Sequence, residues 1–368
     1  MGFEARVITA GRGMPAEPEG EPVAVSERVS AGVPVAVPVG APMATVPTSG
    51  GRAGRLVRRL HRTLLAALIM GAVVVPVATA AARPRIPAPA PAMLAPATAS
   101  TLGEAYAANT ANAAEAARMA ADSGDPTRAA ADRAMADPSR HFLSFDGRGM
   151  GQAVEVFGDL ADADRVAVLV PGSDTTLETY GRFRAGALSL HEELGPSTAV
   201  IAWLGYETPR TVSTTVLTAD RAEEAAPRLQ RFIGELRGVV GEKAHVSLLC
   251  HSYGTVVCAG AAQGLDVEDI ALVGSPGTGV DSVAALHTSA RVWAARGGDD
   301  WIANVPHVRA EVFGTTVGFG TDPVTPDFGA HVFAAGDGGH SDYFTPGSVP
   351  LDNLARIVLG DTSEVTHA

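Results

Sequence analysis

The stretch "LLCHSYGTVV", residues 248–257, decides how this chain is read. A run of apolar residues ends at Cys250, and a segment of small residues starts after Ser252. An apolar strand, a tight turn carrying a serine, and a small-residue helix give this pattern. The turn brings backbone and helix close together, so the positions two before and two after the serine must be small. Gly254 satisfies the second position, and Cys250 stands at the first, where a glycine is expected. On these residues alone, Ser252 is as readily a structural serine as a nucleophile.

The surroundings favour a parallel α/β architecture. Short apolar runs recur at 165–170 (RVAVLV), 198–204 (TAVIAWL), 245–250 (HVSLLC), 269–274 (DIALVG), 291–295 (RVWAA) and 330–335 (AHVFAA). Strands buried on both faces read as continuous apolar runs rather than as alternation. Helix-like stretches lie between them, most clearly 218–240. Upstream, "HFLSF" and "QAVEVF" alternate around "DGRGMG", which predicts a hairpin. Residues 139–360 therefore form one α/β domain with a mostly parallel central sheet flanked by helices. The interval 275–290 is too short for a large cap domain. The irregular stretch 304–329 is the expected border of a pocket.

A serine hydroxyl needs a positioned base, and the base needs an orienting acid. In parallel sheets such groups sit at the carboxyl ends of strands. "RVWAARGGDDW" supplies Asp299 and Asp300, and "AHVFAAGDGGHSDYF" supplies His340. The order serine, acid, histidine fits a nucleophile-elbow hydrolase. Asp300 is preferred to Asp299 because the apolar Trp301 and Ile302 that follow would anchor its loop. His307 and His331 are the rival bases, His251 is expected beside the turn and facing away from Ser252, and Asp337 reads as a turn residue. Two backbone N–H groups should receive the oxyanion. Tyr253, directly after the nucleophile, is one. Ser173 in "VLVPGSDTT" is the other, with Gly172 permitting close approach; the plain alternative is a Pro-Gly turn.

With these residues placed, the chain resembles the actinobacterial α/β-hydrolases of the DUF1023 type. The segments that carry the likeness are "VLVPGSDTT", "AVIAWLGYETP", "LLCHSYGTVV", "ALVGSPGTGV", "GFGTDPVTPDFGAHVF" and "GHSDYF", in order over about residues 139–360. The resemblance implies an α/β-hydrolase fold with Ser252, Asp300 and His340 as its triad, and implies no substrate. Members typically read "GHSYG" at the elbow, so Cys250 is a departure.

The remainder bounds the setting. The net charge is −12. Residues 1–82 hold eight of the 28 basic and five of the 40 acidic residues, leaving 20 and 35 beyond them. So acidic a body argues against a nucleic-acid partner. Residues 1–51 are low in complexity and read as disordered. Residues 52–82 carry five arginines and then an uncharged apolar run, Leu64 to Ala82, ending in small residues. That is the layout of a signal peptide, with a retained membrane anchor as the alternative. Membrane contact would run through residues 64–82, and the expected location is secreted or cell envelope. Residues 83–100 read as a Pro/Ala linker, 101–138 as an Ala-rich helical segment, and 361–368 as a tail.

Cys250 and Cys258 are expected on different elements with no reason to converge, so no disulfide is expected. No Cys/His spacing suggests a metal site, and no glycine loop suggests a nucleotide, so no cofactor is implied. The expected function is a serine hydrolase acting on an ester, thioester or amide of a small-molecule or acyl-bearing substrate. The alternatives are a binding protein that keeps the fold without activity, and a peptidase or acyltransferase using the same triad.

Overall fold

The computed structural model describes residues 86–211, 213, 216, 218–312 and 315–368. The low-complexity segment 1–51, the signal or anchor 52–82 and the first residues of the linker lie outside the described residues. Among the described residues no helix is long and apolar enough to cross a membrane.

Two helices open the described chain, α1 (Leu102–Asp122) and α2 (Pro126–Met135). Asp125 starts the second by accepting the Arg128 N–H, with Pro126 in the first turn, where a missing amide costs nothing. A hairpin follows, β1 (His141–Asp146) and β2 (Gln152–Phe157), paired antiparallel. Then come β3 (Arg165–Val170), α3 (Tyr180–Leu194), β4 (Thr198–Leu204), α4 (Asp220–Val240), β5 (His245–His251), α5 (Gly254–Ala261), β6 (Asp269–Val273) and β7 (Arg291–Ala295). A small hairpin, β8 (Ala310–Val312) with β9 (Thr315–Val317), stands apart from the main sheet. The edge strand β10 (His331–Val332) and helix α6 (Val349–Leu359) complete the order.

The main sheet runs β1-β2-β4-β3-β5-β6-β7-β10. β2 meets β4 antiparallel, and every pairing from β4 to β10 is parallel. Side chains of the central strands alternate between two cores. Val166, Val168 and Val170 face the side of α4 and α5, and Ala167 and Leu169 face the side of α3 and α6. β5 repeats this, with Val246, Leu248 and Cys250 on the first side and Leu249 on the second. Helices on both faces explain why these strands read as unbroken apolar runs. Between β6 and β7 lies only a short 3-10 turn, Val283–Leu286, and no cap domain.

The run 330–335 pairs over just two residues, less than its apolar character predicts. Phe333 N–H still donates to Ala294 O, and Ala334 N–H turns instead to Thr366 O. The C-terminal segment 361–368 is thus tied to the body, and Val365 is buried. The α1–α2 pair is tied in as well. Buried Asn109 donates from its side-chain amide to the carbonyls of Phe142 and Leu143. Buried Arg128 donates to Gly147 O and Gly149 O and pairs with Asp132 and Glu178. Ala88 and Ala97, from the Pro/Ala segment, pack against the two cores.

The cysteines correct an expectation. Cys250 and Cys258 form a disulfide, with Cα atoms 6.5 Å apart. The turn after β5 reverses the chain, so α5 runs back over the strand that precedes it. A residue in its second turn then faces the end of that strand. Eight positions of sequence separation conceal a close approach that the reversal creates.

Candidate active site

Ser252 sits at the reversal itself. Its φ is 55°, in the left-handed region that non-glycine residues seldom occupy. Its N–H donates to Val273 O of β6 at 3.0 Å, and its carbonyl accepts the Thr255 N–H at 2.9 Å and the Thr255 hydroxyl at 2.7 Å. These bonds hold a backbone geometry costing on the order of 1–3 kcal/mol. Two glycines make room for it. A Cβ on Gly254 would lie 2.6 Å from Val170 O, and one on Gly172 would lie 2.5 Å from Ser252 Cβ. At the position of the departed glycine, Cys250 is fully buried, its sulfur bonded to Cys258. The side chain that would crowd the turn is directed into the α5 side of the core.

Three loops from separate strand ends meet at the serine. His340 Nε2 lies 2.8 Å from Ser252 Oγ, and His340 Nδ1 lies 2.8 Å from Asp300 Oδ1. Asp300 is 2% exposed. Its Oδ1 also accepts the Ile302 N–H, and its Oδ2 accepts the Tyr343 hydroxyl at 2.5 Å. Burial by itself raises the Asp300 pKa. The bonds from His340, Tyr343 and the Ile302 amide outweigh that and hold the carboxyl below its ordinary value. The group therefore stays an anion facing the imidazole. Tyr343 accepts the Gly297 N–H in turn, and burial followed by its bond to Asp300 drives its own pKa far upward, so it remains a donor.

His251 braces the imidazole from behind, its Nε2 2.6 Å from His340 O. Its ring lies against those of His340 and Tyr343, with centroids 4.8 and 5.6 Å away. Burial, then the neighbouring His340, push its pKa down to about 4. Neutral His251 donates this N–H to the carbonyl.

Opposite the elbow, the Gly172–Ser173 loop is braced by the segment after β4. The Asp174 carboxylate accepts the Thr211 N–H, Asp174 N–H donates to Pro209 O, and buried Tyr206 donates its hydroxyl to Pro171 O at 2.6 Å. Among the described residues, neither the Ser173 nor the Tyr253 N–H donates to a protein acceptor. Both residues line a cavity of about 910 Å³ with Ser252 and His340 in its wall. The rest of the wall is mainly apolar and includes Phe183, Val216, Trp301, Ile302, Phe319 and Phe344. Val305 and Phe319 come from the stretch 304–329, which borders the cavity as its length suggests. Among the described residues no His/Cys/Asp/Glu group is arranged to hold a metal ion.

The other sequence candidates lie elsewhere. Asp299 is exposed, next to the buried Asp300. His307 bonds Ser275 O and faces Asp322, while His331 lies tilted against Trp293. Ile302 anchors the acid loop as expected, being 3% exposed. Trp301 does not, at 49% exposed. Sequence reasoning assigned no role to Tyr343, although it lies in the word "GHSDYF". A tyrosine three residues after a candidate base was the available signal.

Comparison with known proteins finds likenesses over part of the chain. Residues 146–310 match a family model described as an alpha/beta hydrolase, a span that includes Ser173, Ser252, Tyr253 and Asp300 and stops short of His340. Together with the sheet order, this identifies the α/β-hydrolase fold. The uncharacterized protein Rv2079 of Mycobacterium tuberculosis is 31% identical over 252 residues, covering 58% of this chain and 37% of that protein. The uncharacterized protein Rv0963c of the same organism is 34% identical over 143 residues, covering 35% of this chain and 53% of that protein. The chain thus spans from about a third to about half the length of these curated relatives. Similar solved structures include esterase PE8 (16% identity, TM-score 0.39, 56% of this chain and 96% of that one). Carboxyl esterase 2 of Tuber melanosporum is another (11% identity, TM-score 0.38, 62% and 88%).

Proposed function

We propose that this protein is a serine hydrolase that cleaves carboxylic esters through Ser252, His340 and Asp300. The observation that carries the reading is the unbroken chain Ser252 Oγ–His340–Asp300, with 2.8 Å at each link, at the wall of an open cavity. In this reading His340 Nε2 takes the serine proton as Oγ attacks the substrate carbonyl. Asp300 holds the imidazole in the tautomer protonated on Nδ1 and stabilises the imidazolium. The free amides of Tyr253 and Ser173 receive the oxyanion. His340 returns its proton to the leaving alcohol, leaving an acyl-serine. A water activated by the same imidazole then releases the acid. The largely apolar wall suits an apolar ester, and thioesters or amides would use the same groups.

The place of action in this reading is the cell envelope or the exterior. The signal-like layout of residues 52–82 supports it, and so does the disulfide, since structural disulfides belong mainly to oxidising compartments. The test is covalent labelling of the purified chain with a fluorophosphonate, alongside hydrolysis of a short-chain ester panel. Labelling and hydrolysis are expected for the wild type and lost in Ser252→Ala. Equal labelling of that variant would instead favour a protein that keeps the fold without the activity.

A further inference from the structure

Trp301 is out of place for a structural residue. A large aromatic side chain is ordinarily well buried, yet this one is 49% exposed. It is the only aromatic among the exposed large apolar side chains of the described residues. Its position does not depend on its own packing. The 3-10 turn Trp301–Asn304 is fixed by Asp300, whose side chain accepts the Ile302 N–H, and by the buried side chain of Ile302. The turn therefore holds the indole out into the cavity wall, beside Ile302 and Val305. There its ring centroid is 4.6 Å from that of His340, the planes tilted by 50°.

Proton bookkeeping says what belongs at that spot. On acylation, a bond forms between Ser252 Oγ and the substrate carbonyl carbon, and the bond from that carbon to the alcohol oxygen breaks. The proton lost by Oγ passes through His340 Nε2 to the departing oxygen. That oxygen must lie within hydrogen-bond reach of Nε2, so the group attached to it lies over the imidazole's cavity side. Trp301 packs against this imidazole, and its half-exposed indole lines the same cavity.

We infer that Trp301 is a specificity-determining residue for the leaving alcohol, and that the preferred alcohol carries a flat apolar ring which packs on the indole. This rests on the catalytic reading of Ser252, His340 and Asp300. The alcohol leaves before the second half-reaction, in which water takes its place. Trp301 therefore acts on acylation and not on release of the acid.

Two butyrate esters with leaving alcohols of comparable basicity separate these steps, 2-naphthylmethyl butyrate and 2-methoxyethyl butyrate. Acylation is read from the pre-steady-state release of alcohol, and deacylation from the decay of the common butyryl-enzyme. The wild type should acylate faster from the naphthylmethyl ester. Trp301→Ala should reduce that preference by about threefold to tenfold, the worth of an aromatic contact. Trp301→Phe should retain most of it. The methoxyethyl ester and the deacylation rate should slow much less than the naphthylmethyl ester in both variants. A ring preference that survives Trp301→Ala overturns the inference. So does an equal slowing of both esters and of deacylation, which would make Trp301 a support for His340. Ser252-dependent hydrolysis by the wild type keeps these failures distinct from failure of the triad reading. If neither ester is cleaved in a Ser252-dependent way, the triad reading falls and this inference with it.

Discussion

Tyr343 and Asp300, 43 residues apart, share a hydrogen bond of 2.5 Å in which the phenol donates to the carboxylate oxygen turned away from His340. The phenol also receives the Gly297 amide, so it links the loop carrying His340 to the loop carrying Asp300. Tyr343→Phe removes one donor from a buried carboxylate and leaves an amide without its acceptor. The expected cost is about 1–3 kcal/mol. Where it falls on the transition state, kcat should drop about tenfold. KM should change little, because the phenol acts through Asp300. Steady-state kinetics beside a thermal melt check both halves of this expectation.

Asp300→Asn tests the orienting role more severely. An amide in that place can present its N–H to His340 Nδ1 and stabilise the wrong tautomer. A loss of about 10⁴-fold in kcat is expected, with stability altered much less. Asp299→Asn changes an exposed neighbour and should leave kcat within about twofold, as surface substitutions generally do. Comparable losses in the two variants would remove Asp300 from the mechanism.

His251 predicts an acid limb in the stability profile. Its pKa is held down to about 4 in the folded chain, against 6.5 for the free side chain. Between those values the unfolded chain binds the proton and the folded one does not. Stability is therefore full above about pH 6.5 and falls as the pH drops towards 4, by on the order of 3 kcal/mol. His251→Phe should flatten that limb in denaturant titrations at pH 4.5 and 7. It should also lower kcat, since His340 O loses its donor.

The disulfide joins cysteines eight positions apart. The chain-entropy relation puts its contribution at about 2.5 kcal/mol. Cys250→Ala with Cys258→Ala should lower the unfolding free energy by about that amount. Because both cysteines are fully buried, a mild reductant should leave the native protein unaffected until it is partly denatured. Thiol titration of native and urea-treated protein distinguishes the two states.

Much of this arrangement was legible in the sequence, for identifiable reasons. The strands β3 to β7 stood out because both sheet faces are covered, which forces unbroken apolar runs. The serine, the acid and the histidine could be ordered because the sheet delivers loops to one edge. The brevity of β10 was hidden, since Phe333 and Ala335 are buried beyond the paired residues and Ala334 bonds Thr366 outside the ladder. The disulfide was missed because the strand–turn–helix pattern does not show which helix residue comes back over the strand end. Trp301 was misjudged because an apolar residue after an acid reads as an anchor, and only the folded loop shows that Ile302 fills that place. Tyr343 touches a carboxylate 43 positions away, and its place three residues after His340 was the one local hint of that contact.

The covalent link between Cys250 and Cys258 also sets the order in which the site fails. Helix α5 cannot swing away from β5 while that bond stands, so Ser252 keeps its unusual backbone until the strand itself is lost. Asp300 and His340 ride on loops with no such tether. Warming short of the global transition should first uncouple Asp300 and His340 from a Ser252 that keeps its shape. Such inactivation should reverse on cooling, because the most strained element never has to be rebuilt.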